Sequence, residues 1–167
     1  MRVFTIVGYK NSGKTSFICS LIPIFQSKGL CVGILKHHIG NFSFDHQGTD
    51  TFRFSESGAK VIAISGPEKL ALIKNSIPFD PEPLDLAKSF FQDVDILILE
   101  GYKHTNLDKY PIIKDKSEIS YWISSFTNIA GFISGNEKLI KHKNPIPIFP
   151  FSQPHTFVNH ILGKKEL

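Results

Sequence analysis

The sequence predicts an α/β fold: a mostly parallel sheet flanked by helices, with a small antiparallel extension. Three observations predict it. Strand-like and helix-like runs alternate along the 167 residues, as they do in βαβ units. The run Asp95-Ile96-Leu97-Ile98-Leu99-Glu100-Gly101 is apolar on both faces, as strands buried inside a parallel sheet are. A glycine-rich segment, Gly8-Tyr9-Lys10-Asn11-Ser12-Gly13-Lys14-Thr15, stands between the first strand and the first helix.

The elements follow in order. Residues 3–7 are β-branched and aromatic, a short buried strand. Residues 16–22 carry apolar side chains at the spacing of a helix face, and Pro23 predicts a kink or an early stop. Residues 30–35 read as a second strand, and 51–56 as a short helix that Asp50 or Thr49 can cap. Residues 60–65 and 70–73 form two strands joined by a turn at Gly66-Pro67. Residues 83–91 form a helix with Pro83 near its first turn. After the apolar strand at 95–101 come strands at 129–134 and 146–149, then a closing helix at 156–162 and a loose end. No internal repeat, low-complexity tract or linker is visible. The chain therefore reads as one domain, residues 1–167, large enough for a real core.

The net charge is +4, and arginine occurs only at positions 2 and 53. Proteins that read nucleic-acid sequence lean on arginine for bidentate base contacts, and no helix-turn-helix or zinc-finger pattern is present. A nucleic-acid partner is not expected. The lysine excess fits small anionic ligands, or simply a solvated surface. No apolar run reaches membrane-spanning length, and the first runs straight into the glycine loop, so neither a signal peptide nor a membrane partner is expected. Cys19 and Cys31 lack metal-type spacing. They read as buried free thiols of a cytoplasmic protein.

The 8–15 segment is a complete G-x-x-x-x-G-K-[ST] phosphate-binding loop in its strand–loop–helix setting. Gly8 and Gly13 let backbone N–H groups converge on phosphate oxygens at the positive end of a helix dipole. Lys14 can reach the β and γ phosphates, and the Thr15 hydroxyl can ligate Mg²⁺. Glu100, at the carboxyl end of the apolar strand, falls on the ligand side of a parallel sheet. A carboxylate there can hold Mg²⁺ or orient water; the plainer alternative is a solvated strand-end acid. Gly101 permits close backbone approach to a terminal phosphate. Asp95 opens the strand at the far edge and is not expected to ligate metal.

The segment from Lys36 to Thr51 emerges on the same side of the sheet and has little periodicity. It reads as a loop that orders around a nucleotide and its metal. Its His37, His38 and His46 lack both a nearby cysteine and the spacing of a closed zinc site. Arg53 is open between a transition-state contact and a surface salt bridge.

These residues resemble the molybdopterin-guanine dinucleotide biosynthesis protein B family, MobB. The resemblance rests on the 8–15 loop, on Lys36-His37 with Asp45-x-x-Gly48-x-Asp50-Thr51 and Gly58-Ala59, and on Glu100-Gly101-Tyr102-Lys103. It implies a P-loop NTPase-like fold, GTP and Mg²⁺ binding, weak GTP hydrolysis and a homodimer. It also implies a supporting role when a partner nucleotidyltransferase attaches GMP to molybdopterin, free or molybdate-bound. Carried over, Gly8, Lys10, Asn11, Ser12, Gly13, Lys14, Thr15, Ser16 and Gly101 form the nucleotide-binding set. Thr15, Glu100 and Asp45 are implied at the metal, and Lys14, Glu100 and Asp45 in hydrolysis.

The chain departs from common GTP-binding proteins in having no N-K-x-D after a late strand; it offers Ser134-Gly135-Asn136-Glu137. The resemblance implies an acidic guanine contact in this turn; Asn136 stands there, a poorer acceptor than a carboxylate, with Glu137 displaced by one position as the alternative. Three readings stay open at this point: a slow GTPase accessory factor, a small-molecule P-loop kinase, and a nucleotide-dependent adaptor without turnover. Kinases of this kind close an arginine-bearing lid over the phosphates, which this chain is poorly equipped to supply.

Overall fold

The computed structural model describes residues 1–38, 40, 42, 45–75, 77, 80–141 and 145–164. The expected loose end falls on Lys165–Leu167, outside the described residues, as do Ile39, Asn41, Ser43 and Phe44 of the long loop. The first half of the chain folds as β1 (Arg2–Val7), α1 (Lys14–Gln26), β2 (Val32–Lys36), α2 (Asp50–Glu56), β3 (Val61–Ser65) and β4 (Leu70–Lys74). The second half folds as α3 (Pro83–Phe90), β5 (Ile96–Glu100), β6 (Lys109–Ile113), α4 (Lys116–Ser125), β7 (Phe132–Ser134), α5 (Glu137–Lys141), β8 (Ile148–Pro150) and α6 (Pro154–Gly163). These pack as two compact units, Met1–His37 with Pro83–Leu167, and His38–Glu82.

The larger unit is a six-stranded sheet in the order β2-β5-β1-β6-β7-β8, with every pairing parallel. Parallel register brings the strand ends to one edge: Ile6 of β1 and Lys36 of β2 both pair with Glu100 of β5. Every residue of β5 is buried, as its two-faced apolarity predicts. Aromatic packing closes the core beneath. The Phe157 ring meets Phe4 at 5.6 Å, Phe17 at 5.5 Å, Tyr110 at 4.8 Å and Phe149 at 5.3 Å, all edge-on, the geometry that aromatic quadrupoles favour.

α1 runs through Pro23 to Gln26 rather than stopping there. The proline costs on the order of 3 kcal/mol. Burying Phe17, Ile18, Leu21 and Phe25 along one face returns roughly 1.5–3 kcal/mol each and outweighs it. Both cysteines are exposed, not buried. Cys19 lies off that inward face, and Cys31 precedes β2 at the sheet edge. There Asp95 fastens the edge: its carboxylate accepts the Cys31 N–H at 2.8 Å, and its own N–H donates to the Cys31 carbonyl at 2.9 Å.

β6, α4 and α5 have no counterpart in the sequence-based expectation. β6 carries Pro111 in a central strand, where a missing N–H normally argues against a strand. Pro111 is tolerated because it is the last residue paired with β1, and pairing with β7 resumes at Ile112. Lys109 is fully buried. Its ammonium donates to the carbonyls of Thr105, Leu107 (3.2 Å) and Thr127 (3.0 Å), and burial pushes its pKa down. The expected strand at 129–134 keeps only an isolated Lys109–Ile129 bridge before β7 begins at Phe132.

The smaller unit joins α2 to the antiparallel β3–β4 hairpin. Thr49, not Asp50, caps α2, its Oγ1 accepting the Phe52 N–H at 3.2 Å. Gly66 N–H donates to the Lys69 carbonyl at 2.9 Å and closes the expected turn. Asn75 Nδ2 ties the hairpin to Ser55 Oγ at 2.9 Å and to the Ala59 carbonyl at 3.0 Å.

Phe157→Ala removes the ring on which four aromatic contacts converge. It is expected to cost about 3–5 kcal/mol of unfolding free energy, read from urea denaturation as a lower midpoint with an unchanged slope.

Candidate phosphate-binding site

The loop between β1 and α1 takes its shape from backbone conformations that side chains resist. Gly8 has φ +151° and Gly13 φ +93°. A Cβ on Gly8 would lie 2.6 Å from Ser12 Oγ, and one on Gly13 would lie 3.1 Å from the Phe151 ring. Asn11 also sits at positive φ, 60°, which its short polar side chain tolerates. Gly13 then starts α1 with no side-chain cap, so the first-turn N–H groups stay available to a ligand. Ser12 Oγ is buried with no hydrogen-bond partner among the described residues. An orphaned buried hydroxyl beside uncapped N–H groups suits a phosphate oxygen.

Lys14 folds back over the loop, donating to the carbonyls of Gly8 at 3.1 Å and Tyr9 at 2.9 Å. Burial lowers its pKa, Glu100 opposes that shift, and Lys36 adds to it. Glu100 is only 8% exposed. Its Oε2 accepts from Thr15 Oγ1 at 3.5 Å, and its Oε1 faces Lys36 Nζ at 3.5 Å. Behind it Gly101 has φ +104° and packs on His37. A Cβ there would come within 3.3 Å of the His37 Cβ. His37 N–H donates to the Glu100 carbonyl at 2.9 Å, and its ring meets that of Tyr102 at 4.8 Å.

The structure therefore brings Gly8, Ser12, Gly13, Lys14, Thr15 and Glu100 together, with Gly101 shaping the strand end. Lys10, Asn11 and Ser16 lie on the same loop and helix start, Lys10, Asn11 and Ser16 all solvent-facing. Asn136 follows β7, where its side chain organises the turn: Oδ1 accepts the Lys138 N–H at 3.1 Å and Nδ2 donates to the Lys114 carbonyl at 3.1 Å. Asp45 belongs to the smaller unit. Its Oδ1 accepts from Thr49 Oγ1 at 2.7 Å and the His46 N–H at 2.8 Å, and its Oδ2 from Thr51 Oγ1. Arg53 makes an exposed contact of 4.0 Å with Asp50, the surface salt bridge. Among the described residues no three of His, Cys, Asp and Glu gather into a metal-ligating cluster, and no helix is long and apolar enough to cross a membrane.

Two neighbours of the site were given no site role from sequence. Lys36 was placed on the ligand side, and its meeting with Glu100 follows because it ends β2 as Glu100 ends β5 and parallel strands align such ends. Phe151, whose ring packs beneath Gly13 and 5.2 Å from that of Phe17, carried no such signal. The donor set suits Mg²⁺: one hydroxyl and one carboxylate, hard oxygens leaving most positions to phosphate and water.

Gly101→Ala places a methyl against His37 at positive φ and is expected to cost about 1–3 kcal/mol, measured as a lowered denaturation midpoint. The hydroxyls of Thr51, then Thr49, hold the Asp45 carboxyl below its ordinary 3.8. The loop order this lends is complete above that value and is lost as the pH falls below it, which the amide shifts of His46 and Phe52 should report.

The family model for molybdopterin guanine dinucleotide synthesis protein B matches residues 3–134. The chain is 29% identical over 158 residues to the probable molybdopterin-guanine dinucleotide biosynthesis adapter protein of Bacillus subtilis, covering 91% of this chain and 87% of that one. It is 30% identical over 120 residues to the putative adapter protein of the same name from Methanocaldococcus jannaschii, covering 70% of this chain but only 49% of that longer relative. The crystal structure of Bacillus subtilis MobB superimposes with a TM-score of 0.80 at 27% identity, over 99% of each chain, which matches the P-loop NTPase-like architecture described above. By family model, relatives and fold together, this chain belongs to the molybdopterin guanine dinucleotide synthesis protein B family.

Proposed function

We propose that the chain is a GTP-binding accessory protein with slow GTPase activity, which assists attachment of GMP to molybdopterin by a partner nucleotidyltransferase. The observation that carries this reading is the convergence of Lys14, Thr15 and Glu100 on an uncapped helix start beside the orphaned Ser12 hydroxyl. In the proposed complex the 8–15 loop cradles the phosphates through its N–H groups and Lys14 neutralises charge on them. Thr15 and Glu100 would hold Mg²⁺, which supplies charge neutralisation at the β and γ phosphates when bound. Glu100 or Asp45 orients the attacking water. Asn136 is the proposed guanine contact; its Oδ1 keeps a second lone pair for a base N–H. The names borne by the relatives support the molybdopterin role.

The arginine distribution favours slow turnover, or an adaptor with none. Arg2 donates to the carbonyls of Leu162 (2.8 Å) and Ile161 (3.3 Å) at the end of α6, and Arg53 is paired with Asp50. We also assign a homodimer. Val61, Leu70 and Leu72 lie on one face of the β3–β4 hairpin and are all exposed, Leu70 by 74%, an apolar surface that a second copy can cover.

Calorimetry with GTP and ATP, with and without Mg²⁺, is expected to show Mg²⁺-dependent binding that prefers GTP. Lys14→Ala should abolish it; undiminished binding overturns the site, and a preference for ATP favours a kinase. Sedimentation is expected to give a dimer that Leu72→Asp converts to monomer, while a monomeric wild-type chain refutes the assembly.

A further inference from the structure

Lys36 ends β2 directly opposite Glu100 in the parallel register. Its side chain is 58% exposed where that of Glu100 is 10% exposed. Glu100 therefore meets Lys36 on one oxygen and the Thr15 hydroxyl on the other, each at 3.5 Å. Lys36 also stands near enough to Lys14 to disfavour that residue's charged form. The Lys36 ammonium thus faces a buried carboxylate beside the loop that carries Lys14. Lys14 is tethered by two loop carbonyls. The Lys36 contact is long and solvent-facing, the kind that holds a side chain weakly.

A divalent cation taken up by Thr15 and Glu100 would repel the ammonium already facing that carboxylate. The end of a polyphosphate held by the 8–15 loop would then be the anion on offer. Phosphoryl-transfer sites commonly meet the charge on that group with an arginine, and both arginines here are otherwise engaged: Arg2 donates to the carbonyls at the end of α6 and Arg53 faces Asp50. Lysine suits a moving contact, a compact charge on a flexible stem. We propose that Lys36 is the residue that recognises the terminal phosphate: the ammonium that holds Glu100 here transfers to the γ-phosphate of a bound nucleoside triphosphate. The proposal rests on the reading of the 8–15 loop as a triphosphate site.

The test compares GDP with a non-hydrolysable GTP analogue, both fluorescent and in excess Mg²⁺, on the full chain and its Lys36→Ala, Lys36→Arg and Lys14→Ala variants. Lys36→Ala is expected to keep GDP affinity within about twofold while weakening the analogue about tenfold or more, the scale of one charge-assisted contact. Lys36→Arg should restore most of the loss, with single-turnover hydrolysis following the same order. The proposal is overturned if Lys36→Ala leaves the analogue as tight as wild type, if it weakens GDP equally, or if wild type does not distinguish the two ligands. Failure of the underlying reading looks different: wild type then binds neither nucleotide, or Lys14→Ala binds both undiminished.

Discussion

A carboxylate at the end of a fully buried strand is stable only with partners, because the interior offers no water to solvate it. Glu100 is that carboxylate, and the elements of the site are arranged around it. β2 delivers the Lys36 ammonium, α1 delivers the Thr15 hydroxyl, and β1 sets Ile6 beside it in register. All three depend on parallel pairing, which sends the strand ends to one edge and leaves the opposite edge to Asp95 and Arg2. The chemistry proposed for this chain follows from that placement. A buried anion beside an uncapped helix start is a place where a hard cation and a polyphosphate each find what they lack.

The glycine loop adds a second constraint, one of space. Gly8 and Gly13 hold backbone angles that a side chain resists, and the room beside each is already taken, by Ser12 and by Phe151. Phe151 comes from the far end of the chain, where its N–H donates to the Ser134 carbonyl at 2.8 Å. The last third of the sequence thus supports the floor of a site whose motif lies in the first tenth. Gly101 repeats the logic on the neighbouring strand, where the close approach is to His37.

The smaller unit is organised locally. Asp45 gathers a backbone N–H and two hydroxyls, Thr49 caps the helix that follows, and Asp50 sits in its first turn, where the helix dipole favours an anion. The D-x-x-G-x-D-T pattern therefore has a structural basis within its own loop, independent of any role towards nucleotide. The same unit leaves the Val61, Leu70 and Leu72 face of its hairpin uncovered, and apolar surface of that kind marks an interaction site more often than an ordinary monomer face.

The signals legible in the sequence were short-range. β1, β5, the hairpin and α3 carry their periodicity within a few residues, and the loop motif joins Gly8 to Thr15 across a single turn. Glu100 could be placed because a strand end has a defined side in a parallel sheet. β6 was hidden, since Pro111 and a buried Lys109 argue locally against a central strand and are tolerated where pairing passes from β1 to β7 and three carbonyls receive one ammonium. The length of α1 past Pro23 and the exposure of both cysteines were likewise decided by what each face packs against. By itself, then, the sequence determined the fold class and the phosphate loop, because both are written in local spacing. Tertiary structure alone decided that Lys36, Thr15 and Glu100 share one carboxylate and that Phe151 lies under Gly13, because those meetings depend on register and packing between segments far apart in the chain.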